Sequence, residues 1–252
     1  MKITKITKAD LDENNYYRHS ESLNVDGSIE IERNLGMVRF RGFLSAAGGI
    51  DAAYGSGIEA GSSIEAGEWI EARGAIKAGE WIEAGGAIEA GSSIKAGEWI
   101  EARGAIKAGD GIKAEWGIEA GGAIKAVSVI EAGGAIKAGS WIEAGESIEA
   151  GSSIKAGEWI EARGAIKAGS SIEAGSAIEA GSWIEAGSSI KAGLQISAKK
   201  TISAKLRIFA GICSWRNLLP EEMTITAQRV EGEVGSGVVK LLGTDPASPT
   251  ES

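Results

Sequence analysis

The chain has 252 residues, 35 Asp plus Glu against 26 Lys plus Arg, and a formal net charge of −9. Its 38 Gly stand beside only 3 Pro and 6% aromatic residues, which excludes collagen and argues against an ordinary mixed core, although 43% hydrophobic residues suffice for a real one. A single cysteine, Cys213, excludes an internal disulfide framework, and the acidic balance disfavours nucleic acid while suiting a basic protein partner. The opening residues lack an apolar stretch of signal-peptide type and no apolar run is long enough to span a membrane, so a cytoplasmic protein is expected.

Residues 1–43 carry no short repeat and are expected to form an N-terminal cap. Within it, Thr7 to Tyr17 suits a short helix, and Ser28–Ile31 and Met37–Phe40 alternate as strands. Leu44 and Ile50 lie six residues apart, which sets the expected start of a repeat region over 44–212. Eight residues separate Ile50 from Ile58, so Asp51–Gly57 is expected to hold a two-residue bulge or loop. From Ile58 to Ile208 an Ile then recurs every sixth residue at 26 consecutive sites, each followed two residues later by Ala. The residue between them is nearly always Glu or Lys, and Gly usually comes next.

Alternation within the unit predicts a three-residue strand with Ile and Ala inward and the charge outward, followed by a bend at Gly. Three such sides give a three-sided β-solenoid of about 18 residues per coil, nearly nine coils, and about 40 Å of rod. A helix is disfavoured, because a six-residue period scatters Ile around a 3.6-residue helix and a Gly per unit costs about 1 kcal/mol against Ala. After Ile208 the pattern fades. Residues 213–243 are read as a C-terminal cap, with Met223–Arg229 and Gly237–Leu242 as a closing hairpin, and 244–252 as a flexible tail.

The unit Ile-Glu-Ala-Gly-Ser-Ser at 58–63 resembles the hexapeptide of left-handed β-helical acyltransferases. In that family the small fifth residue points inward, whereas here the fifth position holds Glu68, Glu80, Glu98 and Glu158, which a narrow coil would not bury unpaired. An inward pair of Ile and Ala resembles a bactofilin-type helix, which implies a right-handed coil. The acyltransferase resemblance implies a histidine base, but His19, the only His, lies outside the repeat. Cys213 has no metal-ligand companions and is read as a buried apolar thiol. No enzyme activity, cofactor or metal is therefore expected.

Two outward features remain. On an 18-residue coil Glu65, Glu83, Glu101 and Glu119 form one column that continues into Lys137 and Lys155, and Lys77, Lys95 and Lys113 form another. Counted along the columns, like-charged neighbours are about as frequent as chance gives, so the pattern does not maximise cross-coil ion pairs. Trp69, Trp81, Trp99, Trp141, Trp159 and Trp183 each precede a repeat Ile, and Trp81 is expected to stack on Trp99 and Trp141 on Trp159. The side that combines Trp81 and Trp99 with Glu83, Glu101 and Glu119 is the candidate partner-binding surface, with an indole lying flat over corner Gly as the competing, purely structural use. The expected function is non-catalytic protein binding. Units of this type resemble those of bacterial toxin–immunity proteins, which implies neutralisation of a basic toxin domain, and the bactofilin resemblance implies self-assembly instead.

Overall fold

Parallel pairing at an offset of 18 residues organises the repeat, from Ile58–Ile76 to Ile190–Ile208. Ile82 aligns with Ile64 on one neighbour and Ile100 on the other, Glu83 with Glu65 and Glu101, and Ala84 with Ala66 and Ala102. The computed structural model, which describes residues 2–212 and 217–243, is an all-β solenoid of about 12 stacked coils. Three ladders form its sides. Side 1 has 13 strands, from Lys2–Ile6 to Val238–Leu241. Side 2 begins at Gly36–Phe40 and side 3 at Leu23–Val25, and both run to the C-terminal coils. They merge into one sheet because Thr201–Phe209 and Arg229–Ser236 turn the corner between them without a break.

The interior is what the hexad demands. Repeat Ile side chains are 0–1% exposed and the Ala two residues later at most 8%. Burying each Ile contributes roughly 2–3 kcal/mol, so the ladder of identical side chains offsets much of the entropy of ordering short strands. Backbone pairing continues through the corners. Gly85 N–H donates to Ala66 O at 2.9 Å, and Ile70 N–H to Ala87 O at 3.0 Å.

The corner glycines serve a different purpose from the one the sequence suggests. None of those that follow Ala66, Ala84 or Ala96 has positive φ. Instead each packs on the coil beneath: a Cβ on Gly85 would lie 2.1 Å from Gly67 O, and one on Gly97 2.0 Å from Gly79 O. Close approach of stacked backbones, not turn geometry, selects Gly there.

The ladders extend beyond the hexads. Strands Lys2–Ile6, Leu23–Val25, Gly27–Ile31 and Gly36–Phe40 add coils of the same kind, so 1–43 builds rod as well as end. The helix expected after Thr7 is a single 3-10 turn, Lys8–Asp10. Residues 7–22 then lie over part of the N-terminal end. Leu11 pairs with Tyr17 and is buried, while Tyr16 bridges to Arg39 beside the first strand of side 2. The loop expected at Asp51–Gly57 turns at Tyr54-Gly55, where Gly55 adopts φ +75°.

The C-terminal strands Thr224–Ala227, Arg229–Ser236 and Val238–Leu241 form no hairpin. Thr224–Ala227 pairs parallel with Val238–Leu241, making a further coil, because the intervening strand travels around the other two sides. Val239 and Leu241 continue the rows of Ile225 and Ala227 yet are 43% and 63% exposed, so this end of the rod is open among the described residues. Cys213 and the tail 244–252 lie outside the described residues.

Candidate interaction face

Each outward Glu or Lys is fixed by the strand that buries its two neighbours. On side 3 the column runs Glu65, Glu83, Glu101, Glu119, Lys137, Lys155, Glu173, Lys191, as the repeat spacing requires. Adjacent coils are about 4.8 Å apart, so four stacked carboxylates form an acidic strip. Glu119 reaches Lys137 Nζ at 3.3 Å, and Glu65 accepts from Trp81 Nε1 at 2.9 Å. Glu83 and Glu101, between them, are exposed and make no ion pair among the described residues.

The corner leading into side 3 carries the indoles. Trp81 and Trp99 occupy equivalent positions one coil apart, but their rings do not stack. Trp81 turns back to Glu65, whereas Trp99 lies forward on Gly117, where a Cβ would come within 2.2 Å of the ring. That bare glycine exists because the corner Glu115-Trp116-Gly117 is shifted by one residue relative to Gly97-Glu98-Trp99. Trp116 N–H donates to Glu98 O, so Trp116 takes the place that Glu98 holds one coil earlier. Trp116 is thus a third indole on this corner and is 54% exposed, against 39% for Trp99. Reasoning from the residue before each Ile missed Trp116, since it sits two before Ile118. Scanning whole 18-residue corners rather than one phase would have found it. Glu80 and Glu98 line the same corner, Glu80 accepting from Ser62 Oγ at 2.6 Å.

The other expected stack forms. Trp141 and Trp159, at the corner leading into side 1, lie parallel with centroids 4.9 Å apart, and Lys125 Nζ sits 5.8 Å from the Trp141 ring. Trp69 covers Gly49, so the structural use of indoles as lids on glycine holds for Trp69 and Trp99. Other charges pair across coils, Lys107 with Glu89, Lys113 with Glu131, Lys125 with Glu143 and Lys167 with Glu149 on sides 1 and 2, and Lys155 with Glu173 on side 3, at 2.7–3.6 Å. All are substantially exposed, so each contributes at most about 1 kcal/mol. At the C-terminal end of side 3 an open groove is lined by Lys191, Lys205, Leu206, Phe209 and Arg207, the last paired with Glu233 at 3.2 Å. The same face is therefore acidic toward one end and basic toward the other.

His19 sits at the N-terminal end and has a structural partner. Its Nε2 is 2.9 Å from Asp10 Oδ1, and its ring meets Tyr17 edge-on at 5.2 Å. Asp10 Oδ2 accepts from the Thr7 backbone N–H and hydroxyl, both at 2.8 Å, and these bonds hold its carboxyl below the ordinary range. Burial pushes the Tyr17 hydroxyl up, helped by the Asp10 charge. Among the described residues no cluster of three or more His, Cys, Asp or Glu could hold a metal, and no helix is long and apolar enough to cross a membrane.

The class defined by this geometry is a three-sided parallel β-solenoid with residues 7–22 laid over part of its N-terminal end and one charged, aromatic face. No family model, curated protein or solved structure matches the chain.

Proposed function

We propose that the protein is a non-catalytic binding rod that acts in the cytoplasm and engages a protein through side 3, at Trp81, Trp99, Glu83, Glu101 and Glu119, with Trp116 added by the fold. The observation that carries this reading is the exposure of Trp99 and Trp116 beside Glu83 and Glu101, carboxylates without counter-ions, on three consecutive coils. Large indoles supply desolvated contact area, and a run of carboxylates attracts a basic surface over distance. Neutralising a basic toxin domain, as an immunity protein does, is one use of such a face. Open-ended polymerisation is the second reading, and the loop of residues 7–22 that covers Arg39 and Phe40 at the N-terminal end weighs against it.

The test is affinity capture from the protein's own cell followed by titration of whatever is recovered. Replacing Trp81 and Trp99 together by Ser should leave the circular dichroism spectrum unchanged and weaken binding by at least about 2 kcal/mol. Reversing Glu83 and Glu101 to Lys should mainly slow association. Undiminished binding by both double variants would remove side 3 from the reading.

A further inference from the structure

We infer that the surface fitting side 3 is side 3 of a second copy, in a symmetric dimer whose two rods run antiparallel. The inference rests on the reading of side 3 as an interaction face and names its partner. A twofold axis lying in the face and crossing the rod between the coils of Ile118 and Ile136 reverses the column against itself. Glu119 then faces Lys137, Glu101 faces Lys155 and Glu65 faces Lys191 of the other copy, and only Glu83 meets a like charge, Glu173. Every pair occurs twice.

The corner residues independently obey the same axis. Because the axis crosses the rod within the face, the leading corner of side 3 meets the leading corner of the other copy. Counted by backbone position, Trp81 is then opposite Ser171, Trp99 opposite Ser153 and Trp116 opposite Gly134. One half of the corner is bulky and the other half small, so projections meet hollows about the axis that also pairs the charges. The chain's own bridges on this face, Lys137–Glu119 at 3.3 Å and Lys155–Glu173 at 3.6 Å, are exposed and cheap to rearrange. The other sides do less well. Side 2, reversed about Lys113 and Glu131, gives as many like pairs as opposite ones. Side 1, reversed about Lys125 and Glu143, pairs two opposite charges, but Trp141 and Trp159 there are already stacked on each other. Eight coils at about 4.8 Å with a strand and a corner in width give roughly 1,000 Å² of total contact, near the lower bound for a stable dimer.

Sedimentation velocity on the full chain at about 50 µM in low salt should show a dimer that dissociates as salt rises. Ser153→Trp with Ser171→Trp fills two of the three hollows. The repeat already carries Trp at this position in other coils, so the variant folds, and it should be monomeric. Glu101→Lys should weaken the dimer about tenfold, and adding Lys155→Glu should restore it, because the swap re-forms both pairs with reversed sign. A monomeric parent protein would overturn the inference. So would a dimer indifferent to Ser153→Trp/Ser171→Trp, or one broken instead by Ala105→Trp on side 1. A monomer that still captures another protein through Trp81 and Trp99 sinks the second copy but leaves the binding rod standing. A monomer without that capture sinks both.

Discussion

At the scale of single residues, the hexad allots a side chain to each environment with almost no latitude. Ile142 is fully buried between Ile124 and Ile160, the matching residues of the coils on either side. Asp at this position would place a carboxylate among methyl groups with no donor in reach. We expect Ile142→Asp to cost at least about 4 kcal/mol and to abolish the cooperative melt, read by circular dichroism. The Asp10 carboxylate acts in the opposite way, being stabilised in its charged form. Its folded-state pKa is depressed, so its contribution is complete above the ordinary carboxylate range and is lost as pH falls through the folded value. Asp10→Asn should therefore lower stability by about 1 kcal/mol at neutral pH, and the deficit should shrink as pH falls below the ordinary carboxylate range, as paired thermal melts would show.

At the scale of strands and corners, legibility followed periodicity. Ile and Ala in fixed phase announce inward positions, and the charge columns on all three sides follow from arithmetic alone. The strand Lys2–Ile6 pairs with Gly27–Ile31 at an offset of 25 residues, and no six-residue spacing signals it. The segments Met223–Arg229 and Gly237–Leu242 by themselves suggest a hairpin, and the strand Arg229–Ser236 between them is what carries the chain round to parallel pairing. Indole direction was equally hidden. Trp81 and Trp99 have the same local sequence, Gly-Glu-Trp-Ile-Glu-Ala, yet Trp99 turns forward because the next coil offers it Gly117. The candidate face could be located from sequence, but its third indole and its ring orientations depend on what lies one coil away.

At the scale of the molecule, the rod behaves as a stack of nearly interchangeable coils. Deleting Gly121–Ala138 removes 18 residues and joins Ala120 to Gly139, which preserves both the six-residue phase and the three ladders. This shortened rod should keep its β spectrum and lose no more than about 5 °C in melting temperature. Deleting only Gly121–Ile124 destroys the phase of every later Ile and should leave an aggregating chain. Thermal melts and light scattering on the two deletions distinguish a ladder held by neighbouring coils from a core that needs every part at once.

Within the repeat, the 18-residue offset also fixes the length of loop that each coil must close. Each new coil closes a loop of the same modest length, so its entropic cost does not grow as the rod lengthens, unlike that of a sandwich whose first strand awaits its last. Leu11, Tyr17 and Phe40, which pack at one end, precede every hexad coil in the chain and are made before it. Growth can then proceed in one direction from a finished template, each coil docking on the one made before it. Val239 and Leu241, exposed on the rows of Ile225 and Ala227, show the bare edge that each finished coil offers to the one that follows it.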